Sequence, residues 1–181
     1  IDGGAWKTMT ANIAASVPAS SYIIFRGECT PTSSNGIGTF SATGKFNVSG
    51  NIMSLLFGDD FTDKVSLAGK DYAFHKLFLN NTKVVDATNL VMPATTLSDS
   101  CYRKSFSGCS SLVNINISNS VTNIGDNAFW HCESLTSIKI PNSVTNIGDS
   151  AFAFCASLTN IDIPNNVTNI GYRAFYFCGS L

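Results

Sequence analysis

The dipeptide Ser-Leu recurs along the second half of the chain at a constant interval, and this interval restricts the fold more than any other feature. It occupies positions 111–112, 134–135, 157–158 and 180–181, which is a 23-residue step. A period of roughly 20–29 residues that contains a Leu-x-x-Ile-x-Ile segment is typical of a leucine-rich solenoid. A single coil cannot bury its own apolar side chains, so successive coils must stack and share one interior.

The repeat that starts at Leu135 gives each position a physical role. Alternation along a strand predicts that Leu135, Ile138 and Ile140 face the core, whereas Ser137 and Lys139 face outward. The residues predicted to turn inward after the strand are Val144, Ile147, Ala151, Phe152 and Cys155. The last three fit one face of a single helical turn or a tight turn.

Three other positions recur at the same step. Gly148 is predicted to adopt a positive φ at a bend, which glycine does at little cost. The predicted aromatic spine of the solenoid consists of Phe129, Phe152 and Phe175. The predicted ladder of stacked side-chain amides consists of Asn123, Asn146 and Asn169.

The pattern continues upstream with irregular spacing. The segment 72–78 is an earlier copy; aligning Phe74 with Phe106 makes its coil longer than the later ones and predicts an insertion. Residues 1–60 are interpreted as a β-rich module that caps the solenoid, with strands at 21–26 and 44–50. The predicted class is therefore an α/β solenoid over 61–181, regular from 111 and incomplete at its C-terminus. An uncapped last strand would favour edge-to-edge self-association.

Composition excludes several classes of function. Only 13% of the residues are charged, the net charge is −1, and the basic residues are scattered, so nucleic acid is not an expected partner. No apolar run approaches the ~20 residues of a membrane-spanning helix. Asn, Ser and Thr supply most of the polar surface instead.

The repeat resembles a known family. The stretch Ile-Pro-Asn-Ser-Val-Thr-Asn-Ile-Gly-Asp-Ser-Ala-Phe at 140–152 is similar to BspA-like leucine-rich repeats of surface proteins from Bacteroidetes and some protozoan parasites. The segments 92–102 and 50–59 resemble regions of gut Bacteroides proteins. The resemblance covers roughly residues 40 to 181. It implies a secreted or bacterial outer-surface location and a role in adhesion, and it supplies no catalytic or binding residues.

Four cysteines follow the 23-residue step: Cys109, Cys132, Cys155 and Cys178. Neighbouring coils lie close enough for disulfides. Such pairing would require the side chains to leave their inward rotamers, and free cysteine is among the most buried residue types. A ladder of free, buried thiols is therefore the favoured interpretation, with Cys29 and Cys101 also free.

Neither metal chemistry nor catalysis is predicted. His131 and Cys132 are adjacent, but His75 is distant and no Cys-x-x-Cys or His-x-x-x-His spacing exists. No nucleophile elbow or phosphate-binding loop is present. The chain is therefore expected to be neither an enzyme nor a holder of metals or cofactors.

Two surfaces are candidates for binding a protein or glycan ligand. The predicted inner strand face exposes Asn114, Asn116, Ser137, Lys139, Asn160 and Asp162. Outward strand positions are polar in any case, and Lys139 beside Asp162 could be only a cross-strand pair. On the other side, aromatic residues occupy positions that vary between repeats: Trp130, His131, Phe154, Tyr172, Tyr176 and Phe177. Among these, Trp130 and Tyr176 are the predicted anchors, since such residues dominate interfaces. The alternative is that they only cover adjacent turns.

Three functions compete. The first is recognition or adhesion at a cell surface through the solenoid, which offers an extended binding face. The second is a passive structural spacer in a longer array. The third, a carbohydrate-active or enzymatic role for the N-terminal module, ranks last.

Overall fold

The computed structural model describes residues 44–53, 55, 62–95 and 101–181. Its eight strands are β1 Phe46–Asn51, β2 Val84–Val91, β3 Asn114–Ile115, β4 Asn123–Ile124, β5 Ser137–Lys139, β6 Asn146–Ile147, β7 Asn160–Asp162 and β8 Asn169–Ile170. Turns connect them. The described residues contain no helix with the length and apolar character that crossing a membrane requires.

All strand pairings are parallel, as expected when each coil adds one strand to its neighbour. The sheets have the orders β1-β2-β3, β4-β6-β8 and β5-β7. In β5–β7, Ser137 lies opposite Asn160 and Lys139 opposite Asp162, so the strand register equals the step of the sequence repeat. The predicted leucine-rich solenoid is confirmed.

The shared interior consists of the predicted columns. Leu135, Val144, Ile147 and Cys155 are completely buried. The rings of Phe129 and Phe152 stack with centroids 5.2 Å apart, and Phe152 stacks on Phe175 at 5.5 Å. The stack also extends upstream through Phe106 to Phe78. This spine makes each coil depend on the one before it.

The segments that follow Gly125, Gly148 and Gly171 form consecutive turns. Of the two predicted forms, a single helical turn or a tight turn, the structure has the turns. Within one coil, Ala128 N–H donates to Gly125 O and Trp130 N–H to Asn127 O. The intervening Phe129 N–H donates to Ala151 O of the next coil instead. Successive backbone N–H groups thus bond alternately within the turn and to the next coil. These backbone groups therefore have hydrogen-bond partners without forming a helix.

This alternation requires two left-handed residues in each coil. From Gly125 onward they are Asn127, His131, Ser150, Phe154, Arg173 and Phe177, with φ between 53° and 61°. Side-chain-bearing residues adopt this conformation only at a cost, roughly 1–2 kcal/mol each. The hydrogen bonds between coils therefore hold the turns in a shape that the sequence of one repeat does not favour.

Gly148 does not have the predicted positive φ, so that prediction was wrong. Glycine is needed there for a different reason, the close approach of the preceding coil. A Cβ on Gly148 would lie 2.6 Å from Asp126 N. The column of glycines therefore sets the spacing between coils.

The upstream copy aligns differently from the prediction. Phe78 and not Phe74 stacks on Phe106, while Phe74 stacks on Tyr102. The strand register agrees with this shorter step, because Asp86 pairs with Asn114. We call residues 74–101 the first coil, and 102–124, 125–147 and 148–170 the regular coils. The first coil is therefore longer than the regular coils.

Most of the predicted N-terminal module lies outside the described residues, including the predicted strand at 21–26. The strand predicted at 44–50 is confirmed as β1, which pairs in parallel with β2. The division of the chain at about residue 60 stays a prediction.

Candidate functional site

The inner strand face brings four of the six predicted binding residues together. Ser137 and Lys139 on β5 lie opposite Asn160 and Asp162 on β7, and all four are exposed. Their positions follow from alternation, because Ile138 between them points into the core and is only 5% exposed. Two adjacent strands therefore present a hydroxyl, an ammonium, an amide and a carboxylate to the same side.

Asn114 and Asn116 are exposed, but their amides already bond the preceding coil. Asn114 Nδ2 donates to Asp86 Oδ2 at 3.2 Å, and Asn116 Nδ2 donates to Thr88 O at 3.0 Å. The Thr88 N–H that also bonds Asp86 holds the pKa of this carboxyl below its usual value. These two asparagines connect coils, so they are weaker candidates for ligand contact than the other four.

The four free residues line an open groove of about 420 Å³ between β5, β7 and the segments that follow them. Its remaining lining includes Asn142, Ile163 and Pro164, which the sequence did not predict. Pro141 and Pro164 each follow a strand at the interval of the repeat. This sequence signal could have predicted that the residues after the strands line the groove.

Lys139 and Asp162 face each other without forming an ion pair with any described residue. Adjacent strands are about 4.8 Å apart, so the two charges are close enough for a ligand to contact both. No hydrogen bond of the Ser137 or Asn160 side chain is formed within the described part of the chain either. The groove can therefore donate and accept hydrogen bonds and bind both charge signs.

The predicted aromatic residues form a second surface on the turns. The rings of His131, Phe154 and Phe177 stack in one column, with centroids 4.5 and 5.4 Å apart. Trp130 and Tyr176 flank this column, each with its ring edge toward Phe154 at 6.0 and 5.7 Å.

The two predicted anchors differ in accessibility. Trp130 is half-buried against the column, as expected for a ring that covers a turn. Tyr176 is 40% exposed, Phe177 64% and Tyr172 70%. The accessible aromatic surface therefore lies on the coil that begins at Gly171. No ring contact or hydrogen bond among the described residues joins it to the inner groove.

Arg173, which the sequence patterns did not single out, lies on the same surface. Its guanidinium carbon is 4.9 Å from the ring centroid of Tyr172 and 4.7 Å from that of Tyr176. The sequence held one signal for it, because Arg173 is the only cation between residues 140 and 181.

The thiol ladder is confirmed for the described cysteines. Cys109, Cys132 and Cys155 are free and buried, Cys178 is free and partly buried, and Cys101 is buried. Burial raises the pKa of the Cys109 and Cys155 thiols to about 12.

Each thiol of the ladder donates to a carbonyl of the preceding coil. Cys132 Sγ bonds Phe106 O and Cys155 Sγ bonds Phe129 O, both at 3.2 Å. These thiols are packing groups and not nucleophiles. Cys29 lies outside the described residues.

Metal binding has no support in the described ranges, which contain no cluster of three or more His, Cys, Asp or Glu side chains suited to an ion. His131 Nδ1 lies 2.9 Å from Glu133 Oε1 and the ring stacks on Phe154, so this histidine has a structural environment.

The repeat region is similar to known proteins. The family model described as BspA type leucine rich repeat region matches residues 70–181 in six copies. A leucine-rich repeat protein from Bacteroides ovatus, solved by crystallography, is 36% identical over 58% of this chain and 26% of that chain, with a TM-score of 0.51.

A leucine-rich repeat protein from T. pallidum is 31% identical over 61% of this chain and 48% of that chain, with a TM-score of 0.48. This chain thus spans about a quarter of the B. ovatus protein and about half of the T. pallidum protein. None of the curated proteins compared with it matches.

Proposed function

Because the chain belongs to the BspA-type leucine-rich-repeat family, we propose that it is a recognition module that binds a partner protein through the groove between β5 and β7. Leucine-rich repeats generally serve protein interaction and are generally non-catalytic. The family is typically surface-associated, and we place this chain outside the cell, where it contributes to adhesion.

One observation carries the choice of the groove. Lys139 and Asp162 lie opposite each other on exposed neighbouring strands, yet neither is neutralised within the described structure. On the preceding strands, by contrast, the Asn114 amide is bonded to Asp86. The polar groups of the groove are available for a partner, whereas their counterparts one coil earlier are not.

The groove favours a protein segment of mixed charge. A partner that presents an acidic and a basic group side by side could pair with Lys139 and Asp162 simultaneously. Ile163 and Pro164 supply an apolar wall beside these charges. Apolar contact surrounded by polar groups is the usual composition of a protein interface.

The test is binding of the purified chain to an array of extracellular matrix proteins. We expect saturable binding to at least one of them, weakened about thirtyfold or more by Lys139→Ala, because truncating one partner of a charge pair that is buried at an interface costs roughly 2–5 kcal/mol. The double variant Lys139→Asp with Asp162→Lys keeps the net charge and should also lose binding.

Asn114→Ala is the matched control, since Asn114 is exposed on the same face but its amide bonds Asp86. It should retain affinity. Equal affinity of the wild type and the Lys139 variants would contradict the proposal that the partner binds in the groove. If the chain binds no protein of the array, the structural-spacer hypothesis is favoured, in which the exposed side chains only connect coils. Protease accessibility of the chain on intact source cells tests the location.

A further inference from the structure

The regular coil 125–147 carries two rings on its turns that meet at an angle. The ring centroids of Trp130 and His131 are 4.0 Å apart, and the ring planes are inclined at 71°. His131 belongs to the ring stack, since it lies parallel to Phe154 at 4.5 Å, so the indole stands across that stack. We call Trp130 and His131 the aromatic corner. A described coil lies on each side of it.

The aromatic corner is accessible although the coils before and after it are in place. Trp130 is half-buried, and the side chain of His131 is 33% exposed. The residues at the position of Trp130 in the neighbouring coils, Ser107 and Ala153, are small and buried. The indole therefore has room to lie across them, with one face on the protein and the other toward solvent.

A carboxylate lies beside the aromatic corner without a lysine or arginine to neutralise it. The side chain of Glu133 is 55% exposed, and its Oε1 lies 2.9 Å from His131 Nδ1. No lysine or arginine within the described ranges pairs with Glu133, whereas Asp126 of the same coil lies 3.5 Å from Arg103 Nε. Because a carboxylate has about four acceptor positions, the contact with His131 positions Glu133 and leaves most of its capacity for a ligand.

A planar cation matches an exposed ring face next to a carboxylate. The face of an indole attracts a positive charge. A guanidinium can lie flat on a ring and donate two parallel hydrogen bonds to a carboxylate at its edge, whereas an ammonium is a compact and strongly hydrated charge. A neutral sugar would pack on Trp130 without using the charge of Glu133, and an anion would be repelled by that charge.

From this combination we infer that Trp130, His131 and Glu133 form a docking site for an exposed arginine side chain of a partner protein. The guanidinium stacks on the outer face of Trp130 and pairs with Glu133, which His131 holds in position. Within the described part of the chain, no ring contact or side-chain hydrogen bond joins this site to the groove between β5 and β7. The arginine site therefore does not depend on the function proposed for that groove.

The test is a nuclear magnetic resonance titration of the whole chain with three blocked tripeptides, whose central residue is arginine, lysine or citrulline. Citrulline has the shape of arginine without its charge. The indole N–H resonance of Trp130, assigned by its loss in Trp130→Phe, reports binding. We expect a saturable shift with the arginine peptide, and affinities lower by about fivefold for the lysine peptide and about tenfold for the citrulline peptide, because only arginine combines charge with a planar fork.

Glu133→Gln should weaken binding of the arginine peptide by roughly two- to fivefold, because exposed ion pairs contribute little free energy. Trp130→Leu should also weaken binding, which the imidazole resonances of His131 report in that variant. Asp126→Asn is the matched control, since Asp126 is a carboxylate of the same coil that already lies beside Arg103, and it should leave the affinity unchanged. Unchanged urea midpoints would show that each variant is folded.

Four results would overturn the inference: no saturable shift with the arginine peptide, equal affinity for the citrulline peptide, unchanged affinity in Glu133→Gln, or tighter binding of a neutral methyl glycoside than of the arginine peptide. The last of these would make the indole a platform for sugars. Loss of arginine-peptide binding in Asp162→Asn would also contradict the inference, because it would locate the guanidinium in the groove.

Discussion

The first coil and the regular coils bury the same columns with different lengths of chain. The rings of Phe78 and Phe106 are 5.2 Å apart, and so are those of Phe129 and Phe152, although the first pair is further apart in sequence. Ring stacking and strand register therefore define a coil, and its length is adjustable.

The two kinds of coil also differ in which polar groups they bury. Regular coils place Arg103, Asp126 and Asp149 near the surface at the second position of the coil. The first coil has His75 there, only 2% exposed, and neither ring nitrogen has a hydrogen-bond partner among the described residues. Within the described part of the chain, the regular coils bury thiols and the phenol of Tyr102, whereas the first coil buries a histidine.

The largest expected effect is on the shared spine. Phe152→Ala should lower the free energy of unfolding by about 3–5 kcal/mol, through lost burial and the cavity left behind. Phe78→Ala should cost a similar amount if the spine is equally important in the first coil. Urea denaturation followed by circular dichroism measures both, and an unchanged midpoint in either variant would break the equivalence of the two coils.

The second effect concerns the spacing between coils. Gly148→Ala places a Cβ 2.6 Å from Asp126 N and should destabilise the protein by about 1–3 kcal/mol through overpacking. Gly179→Ala is the matched control, since no heavy atom lies within 4 Å of its added Cβ. Equal stability of the two variants would show that the spacing between regular coils can increase without cost, and that the glycine column does not set it.

A third effect should arise from the first coil alone. Burial, assisted by the charges of Lys76, Arg103 and Lys104, lowers the pKa of His75 from 6.5 to about 4. Below pH 6.5 the unfolded chain binds a proton that the folded chain does not, so stability falls as the pH drops from 6.5 to about 4.

The variant His75→Leu isolates this contribution. Its urea midpoint should depend less on pH between 6.5 and about 4 than that of the wild type. Identical pH profiles would mean that His75 is protonated equally in both states and that the first coil does not differ from the regular coils in this respect.

The smallest effect belongs to the amide ladder of the regular coils. Asn146 Nδ2 donates to Asn123 Oδ1 at 2.6 Å, and Asn146 Oδ1 accepts from Asn169 Nδ2. Because the ladder is largely exposed, Asn146→Ala should cost only about 1 kcal/mol. Calorimetry would detect this as a lowered Tm, and a loss as large as that of Phe152→Ala would show that the ladder, not the ring stack, couples the regular coils.

Sequence periodicity was sufficient for the interior because identical side chains at a fixed step must meet when coils stack. It placed Phe129, Phe152 and Phe175 in the spine and the cysteines in a buried ladder. It correctly predicted that the first coil is longer than the regular coils, but it aligned Phe74 instead of Phe78 with Phe106, and only the ring stacking and the strand register show the difference.

The candidate sites were less predictable. Alternation along β5 and β7 predicted that Ser137, Lys139, Asn160 and Asp162 face outward. It equally predicted Asn114 and Asn116, whose amides bond the preceding coil. The guanidinium of Arg173 lies near the rings of Tyr172 and Tyr176, an arrangement that the repeat pattern does not contain.

The sequence by itself determined that this chain forms stacked coils with a common apolar interior. A single coil cannot bury its periodic Leu, Ile, Phe and Cys side chains, so the coils must stack to remove them from water. Only the tertiary structure decided which polar side chains remain free, because hydrogen bonds between coils depend on distances that a repeat pattern does not contain. It also decided the backbone of the turns, in which contacts with neighbouring coils hold residues such as His131 and Phe154 in a left-handed conformation that their own sequence disfavours.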